Sequence, residues 1–227
     1  MIDLDLSQLN LRSVNERLQA TLPGANEQSY RVLHPNGCHA LAVGLTQPIE
    51  VKVEGHVGFY CAGMNQAASV EVAGHAGPGL AENMMSGEVR ISGNASQSAG
   101  ASGHGGLLVV EGDAASRCGI SMKGIDIVVG GSIDHFGAFM AQSGRLVVCG
   151  DAGAGLGDSI YEATVFVRGE VEGLGADCVE KEMTPDHLKA LAALLGQAGM
   201  DAKAASFRRY GSARKLYNFD IDHAGAY

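Results

Sequence analysis

The sequence lacks a long apolar run and an N-terminal targeting pattern. No apolar stretch reaches the roughly 18 residues that a membrane-spanning helix needs. The first ten residues, MIDLDLSQLN, have no basic region followed by an apolar core, as a secretory signal would. We therefore expect a soluble, cytoplasmic protein with no contact to a membrane.

Cysteines are scarce and are not clustered. The chain has Cys38, Cys61, Cys118, Cys149 and Cys178, which are odd in number, widely spaced and never form a CxxC pair. Disulfide frameworks and zinc or iron–sulfur sites need paired or clustered cysteines. The sequence therefore predicts free thiols in a reducing compartment and no cysteine-based metal site.

Basic residues are also in deficit, and the familiar catalytic motifs are missing. Lys and Arg number 16 against 25 Asp and Glu, a net charge of −9, which argues against a nucleic-acid-binding protein. The chain has no Ser-His-Asp spacing, phosphate-binding loop, dinucleotide fingerprint or metalloprotease motif. We therefore expect no catalytic, cofactor-binding or metal-binding residue in this chain.

Glycine is abundant, and it recurs with a fixed period of 19 residues. The positions four and two residues before each repeated glycine, and two residues after it, are apolar in every copy. This period-two alternation is typical of a strand with one buried face. We call the repeated residues the ladder glycines and expect them to be structural turn residues: Gly55, Gly74, Gly93, Gly112, Gly131, Gly150 and Gly169.

Repeats of this length bury their apolar face by stacking on the next copy. Nineteen extended residues at about 3.3 Å each make a loop roughly 60 Å around, so each repeat corresponds to one coil. Propeller blades need about 40 to 45 residues, and leucine-rich repeats have a Leu and Asn pattern that is missing here. We predict an all-β fold, a single-stranded right-handed parallel β-helix of about seven coils over residues 49–179. The GxG pieces in ASGHGG (101–106) and GAGLGDS (153–159) then lie at corners of coils.

Residues 1–48 precede the first coil and are predicted to form an N-terminal cap. Helical spacing of apolar residues indicates a short helix over about 10–20, with Asn10 or Ser13 as its cap. The segment YRVLHPNGCHALAVGL is typical of two strands around the turn at 35–37. We expect this two-strand segment to close the open end of the first coil.

Residues 180–227 are predicted to form a C-terminal helix and a docking tail. The last four coils have an outward-facing apolar residue three positions before the ladder glycine: Val109, Val128, Val147 and Phe166. A helix over 185–197, capped by Thr184, is predicted to lie across this stripe, and a partner protein is the competing cover.

The tail beyond this helix is rich in arginine and tyrosine. Its composition favours a protein interface or docking on the rod itself, with a disordered tail as the alternative. The candidate interface residues are Arg208, Arg209, Tyr210, Arg214, Lys215, Tyr217 and Phe219.

Polar residues follow each ladder glycine. His56 and His75 are predicted to stack near 5 Å apart, close enough to share a metal, although ordinary turn chemistry explains them as well. If the rod were itself an enzyme, we would expect its catalytic carboxylates to face outward on one side of the rod. The candidates are Asp113, Asp151, Asp158 and Glu162.

The coils resemble a known domain family. The stretch RLVVCGDAGAGLGDSIYEATVFVRGEVEGLGAD resembles the C-terminal GXGXG β-helix domain of the glutamate synthase large subunit, and the resemblance covers roughly residues 50–180. The repeat is also similar to the β-helix component of formylmethanofuran dehydrogenase and of the formyltransferase/hydrolase complex. The segment FMAQSGRLVVCGDAGAGLGDSIYEA and the tail SARKLYNFDIDHAGAY look closest to the stand-alone β-helix component of N-methylglutamate synthases (methylamine–glutamate N-methyltransferases).

This resemblance implies a structural subunit that binds no cofactor itself. The implied partners are a class II glutamine amidotransferase-like subunit and a glutamate synthase-like subunit that holds FMN and an iron–sulfur cluster. The first alternative is the scaffold subunit of a formyltransferase/hydrolase or formylmethanofuran dehydrogenase complex. The others are a free-standing β-helix enzyme acting on carbohydrate and a pure interaction module.

Overall fold

The computed structural model describes residues 1–20 and 28–214. This part of the chain forms one sheet and two α-helices. The strands are β1 (Ile2–Asp5), β2 (Ser29–Leu33), β3 (Glu50–Glu54), β4 (Ser69–Val72), β5 (Glu88–Ile91), β6 (Leu107–Val110), β7 (Lys123–Val129), β8 (Ser143–Val148), β9 (Thr164–Val167), β10 (Cys178–Lys181) and β11 (Arg208–Ser212). The helices are α1 (Leu11–Gln19) and α2 (Pro185–Ala198), and a short 3₁₀ turn covers Ala204–Ser206.

Strands β3 to β9 are parallel and stack in sequence order with a shift of 19 residues, which confirms the parallel β-helix. Val51 pairs with Val70, and the same column continues to Val165 in the seventh coil. A second column of bridges runs from Val57 through Ala76 to Val171. These columns, together with the one two residues before each ladder glycine, point into one continuous buried core.

The ladder glycines are required because the coils approach closely there. A Cβ atom built on Gly93 would lie 2.6 Å from the carbonyl oxygen of Gly74 and 2.6 Å from the His75 ring. The backbone N–H of Gly93 donates to the Gly74 carbonyl at 3.0 Å, so the two residues lie directly one above the other. Of the seven ladder glycines, Gly55 alone has a positive φ. At the other six positions, glycine is required because a side chain would collide with the preceding coil.

Positive φ is concentrated at three other positions of each coil, five, seven and nine residues after the ladder glycine. In the first coil these are Tyr60, Ala62 and Met64, whose N–H groups bond to the next, the preceding and the next coil in turn. The same three positions are left-handed in the following five coils, whether or not they hold glycine. The N–H groups at these left-handed positions therefore donate alternately to the two neighbouring coils, so the backbone stays hydrogen-bonded where the chain turns.

The N-terminal segment extends the rod. Tyr30 of β2 pairs with Val51 in parallel, and β1 pairs with β2 in parallel, so the sheet begins two strands before the first predicted coil. The predicted second strand after residues 35–37 is wrong. Residues 34–48 contain no strand, and their backbone turns bond to the first coil, for example Gly58 N–H to the Cys38 carbonyl at 2.8 Å.

The predicted short helix is present as α1, and it packs on this end of the core. The side chain of Asn10 accepts a hydrogen bond from the Ser13 N–H, so Asn10 is the cap and Ser13 lies within the helix. Val14 and Leu18 are buried against the rod. The boundaries at 48 and 179 remain predictions, because the segments on both sides of each join the same sheet.

Helix α2 covers the outward apolar stripe, which confirms the predicted cover. Leu191, Leu194 and Leu195 form one buried cluster with the four residues of the stripe. Thr184 caps the helix and His187 completes a capping box. At the other end, Arg90 lies one coil before the stripe and donates to the Ala198 carbonyl at 2.9 Å. The helix therefore ends beside the coil whose outward residue is a charged arginine and not an apolar side chain.

Strand β11 is inserted between β9 and β10 and runs antiparallel to both. This insertion reverses the strand direction at the C-terminal end of the rod, so the repeating pattern stops there. Within the described residues, no helix is long and apolar enough to span a bilayer.

Candidate functional site

The polar residues that follow the ladder glycines bind the next coil. Each one accepts a hydrogen bond from the backbone N–H of its equivalent 19 residues later, over distances of 2.7 to 3.0 Å. We call this column the acceptor ladder. It consists of His56, His75, Asn94, Asp113, Ser132 and Asp151, and it ends on the N–H of Glu170.

The two histidines of the ladder stack as predicted, with ring centroids 4.9 Å apart. Both use Nδ1 as the acceptor, which leaves the ring proton on Nε2. Their shared role is thus to join coils: Nδ1 uses its lone pair for the hydrogen bond between coils and Nε2 carries the ring proton, so neither nitrogen offers a lone pair to a metal. Within residues 1–20 and 28–214, no group of three or more His, Cys, Asp and Glu residues is arranged to hold a metal ion.

The four carboxylates considered for catalysis are not gathered at one place. Asp113 and Asp151 belong to the acceptor ladder, two coils apart. Asp158 accepts hydrogen bonds from the Ser159 hydroxyl at 2.9 Å and from the Ala176 N–H at 3.4 Å. Glu162 lies at another corner of the coil, where it lines a surface groove.

Four of the candidate interface residues lie at the C-terminal end of the rod. Tyr210 is 2% exposed and belongs to the main core, so its ring packs within this chain. Arg208 donates to the Gly169 carbonyl at 2.7 Å, Arg209 donates to the Glu182 carbonyl at 2.8 Å, and Arg214 pairs with Asp177. The remaining three candidates, Lys215, Tyr217 and Phe219, lie outside the described residues.

A surface groove follows the corner where strands β7, β8 and β9 begin. Its first section has a volume of about 460 Å³ and its second about 260 Å³, and both sections include Tyr161 and Glu162. We call this feature the corner groove. The first section is lined by Lys123, Met140, Gln142, Ser143, Tyr161 and Glu162, and the second by Tyr161, Glu162, Ala163, Thr164, Lys181, Arg209, Gly211, Ser212 and Arg214.

The two sections of the groove differ in chemistry. Met140 and Tyr161, 44% and 39% exposed, give the first section an apolar surface. The second section has three cationic side chains, and partial burial lowers the pKa of the Arg209 guanidinium. An apolar surface beside cationic side chains suits a ligand that is apolar at one end and anionic at the other.

The described cysteines are not in either section of the groove. Burial raises the pKa of the Cys61 and Cys118 thiols to about 12, and that of Cys178 to about 11. A high thiol pKa leaves little thiolate at neutral pH, so these side chains act as small apolar core residues. The prediction of free thiols is confirmed for all five cysteines.

The sequence showed a polar residue after each ladder glycine but did not predict the hydrogen bonds that these residues accept. It did not predict the corner groove either. The groove joins the starts of three coil strands to β10 and β11, which are distant in sequence. The available signal was weak: Met140 replaces the serine of three other coils (Ser102, Ser121 and Ser159), but the first coil also has a methionine there, Met64.

Comparison with known proteins places the chain in a family. No protein-family model and no solved structure matches the chain. The chain is 62% identical over 225 residues to Protein GlxC of Rhizobium meliloti (strain 1021), and the alignment covers 99% of each of the two proteins. Identity of this extent over the full alignment places both chains in one family, and the protein described here is therefore a member of the GlxC family.

Proposed function

We propose that this chain is the non-catalytic structural subunit of a heteromeric, glutamate synthase-like N-methylglutamate synthase. Such an enzyme converts methylamine and glutamate to N-methylglutamate and ammonia. In this proposal the chain fixes the distance and angle between a glutaminase-like subunit and a flavin and iron–sulfur subunit. The rod itself contributes no group to the chemistry.

The acceptor ladder is the observation that carries the proposal. Side chains that could act in catalysis, namely two histidines and two aspartates, are used instead to bind each coil to the next. Each such bond adds a side-chain contact to the backbone bonds between parallel strands, so the coils resist sliding past one another. Eleven strands at about 4.8 Å span roughly 48 Å, enough to keep two catalytic subunits at a set separation.

The identity of the partners rests on the resemblance of the coils to the glutamate synthase β-helix domain. We propose a class II glutamine amidotransferase-like partner and a glutamate synthase-like partner that holds FMN and the iron–sulfur cluster, with the complex in the cytoplasm. A rigid spacer has a physical purpose there, because ammonia or methylamine must pass between active sites without escaping to solvent.

The test is to isolate the complex from the native cell through a tag on this chain. We expect mass spectrometry to identify the two partners, and the flavin absorbance to co-elute with them. N-methylglutamate formation should then require all three subunits, and this chain alone should have no activity. Co-purification of an amidohydrolase and a formyltransferase instead would contradict the proposal and favour a formyltransferase/hydrolase complex.

A further inference from the structure

The apolar section of the corner groove holds a residue that the fold does not require. Met140 has a left-handed backbone (φ 53°) at a position where three other coils have serine, one has asparagine and the first has methionine. Its side chain is 44% exposed. A large apolar side chain gains nothing from this exposure in the isolated chain, whereas methionine and aromatic residues are enriched in protein interfaces.

Aromatic residues adjoin this methionine on both sides. Tyr161, which lies one coil further along, is 39% exposed and shares the same cavity. Phe139 precedes Met140 and meets Phe136 edge to face, with ring centroids 5.8 Å apart. Exposed apolar residues therefore cluster at this corner of the rod, as at the anchor points of protein interfaces.

The second section supplies charge of the sign opposite to that of the whole chain. The two sections are lined by Lys123, Lys181, Arg209 and Arg214 against one acidic residue, Glu162, on a chain with a net charge of −9. Arg214 is paired with Asp177, so Lys181 and Arg209 are the cations left for a ligand in the second section. Positive charge at this place favours a partner surface that presents carboxylates.

The length of the groove fits an extended peptide. From β7 to β10 the sheet crosses four strand spacings, in the order β7, β8, β9, β11 and β10. At about 4.8 Å each, these spacings amount to roughly 19 Å, which an extended segment of about six residues would span.

We propose that the corner groove is the docking surface for an extended segment of a partner subunit, with an apolar side chain at the Met140 end and carboxylates at the Lys181 end. This inference rests on the proposed function, because it takes the partner to be a subunit of the same complex. To the proposed function it adds where on this chain the partner subunit docks and which kinds of side chain the partner presents.

The apolar contact is tested by a matched pair of variants. Met140→Ala removes the anchor surface. Met64→Ala removes an equally exposed methionine (45%) from the same left-handed position four coils away. We expect the dissociation constant between this chain and the purified partner subunit, measured by biolayer interferometry, to rise about tenfold for Met140→Ala and less than twofold for Met64→Ala. Equal affinities of the two variants would overturn the proposal.

The charged contact is tested by reversing one lysine. Lys181→Glu should weaken binding about tenfold and reduce its dependence on salt, because the attraction to carboxylates is lost. The control is Lys52→Glu, which changes a half-exposed lysine near the other end of the rod. An equal effect of both changes would show that net charge, and not the groove, governs binding.

A peptide measurement separates this inference from the proposed function. If the wild-type chain binds no subunit of the predicted complex, the proposed function fails, and the groove is judged with a labelled six-residue peptide, Phe-Ser-Ser-Glu-Glu-Glu, by fluorescence anisotropy. We expect the peptide to bind the full chain, to bind Met140→Ala and Lys181→Glu at least fivefold more weakly, and to lose binding when its glutamates are replaced by lysines. Equal binding of both peptides, or no binding of either, would then overturn the groove as well.

Discussion

Replacing Gly112 with alanine would place a methyl group where the acceptor ladder already has an atom. The added Cβ would lie 2.1 Å from Oδ1 of Asn94, 2.9 Å from the Gly93 carbonyl oxygen and 3.0 Å from its carbon. The Asn94 side chain would have to move, and its hydrogen bond from the Asp113 N–H, now 3.0 Å, would be lost.

The expected cost combines three contributions. Overpacking against the preceding coil costs about 1 to 3 kcal/mol, and the lost hydrogen bond costs about 1 kcal/mol. The reduced chain entropy of the unfolded alanine variant offsets about 0.4 to 1 kcal/mol. We therefore expect Gly112→Ala to lower the free energy of unfolding by about 2 kcal/mol, measured by urea titration with circular dichroism.

Two further variants make this prediction specific. Gly173→Ala is the matched control, because its Cβ would meet only the Cα and Cβ of Ala154 at 3.9 Å, so we expect a change within about 0.5 kcal/mol. The double variant Asn94→Ala with Gly112→Ala removes the 2.1 Å contact and should cost at least about 0.5 kcal/mol less than the sum of the single variants. A neutral Gly112→Ala, or strict additivity, would refute the argument that the ladder side chain excludes a Cβ.

Three other perturbations test the ends, the cover and the core of the rod. Truncation after Gly199 removes β11 and uncovers the edge of β9, so we expect end-to-end association in size-exclusion chromatography with light scattering; a monomer would contradict this. Leu191→Ala should lower the free energy of unfolding by about 2 to 5 kcal/mol, because Leu191 is fully buried against the apolar stripe; a loss under 1 kcal/mol would argue against the cover. Cys61 and Cys118, with thiol pKa values raised to about 12, should be alkylated only on unfolding at pH 8. Both thiols have a folded-state pKa above the unfolded value, so their contribution to the free energy of unfolding is fully present below about pH 8.5 and is lost as the pH rises toward 12. A free energy of unfolding that stays constant over this range would contradict the assignment.

The sequence was sufficient for the coils because each coil repeats the same local pattern. The columns through Val51 and Val53 recur at one spacing, and the apolar stripe and the helix that covers it follow from the same count. The left-handed corners could not be predicted in this way. Tyr60, Arg117 and Phe136 adopt positive φ although such residues disfavour it, because bonds to both neighbouring coils determine the backbone there.

The C-terminal segment was harder to predict for a different reason. Its arginines and tyrosines have the composition of an interface, and composition does not distinguish a partner chain from the end of the same rod. The pairing of Arg208 with Val167 joins residues about 40 positions apart, in an antiparallel direction that the parallel repeat does not suggest. The corner groove depends on this insertion, since Arg209 and Ser212 form part of its lining.

Arg208 shows how the rod is closed without another coil. From Gly74 onward, each ladder glycine carbonyl accepts the N–H of the next ladder glycine, as Gly150 does from Gly169 at 2.9 Å. Gly169 has no eighth ladder glycine above it, and the guanidinium of Arg208 donates to its carbonyl instead, at 2.7 Å. The same guanidinium lies 3.5 Å from the carboxylate of Glu170, the residue on which the acceptor ladder ends. One arginine from β11 thus replaces the N–H donor that a further coil would supply to Gly169, and it also pairs with the residue on which the acceptor ladder ends. The rod therefore ends with its last glycine carbonyl hydrogen-bonded, although no eighth coil follows.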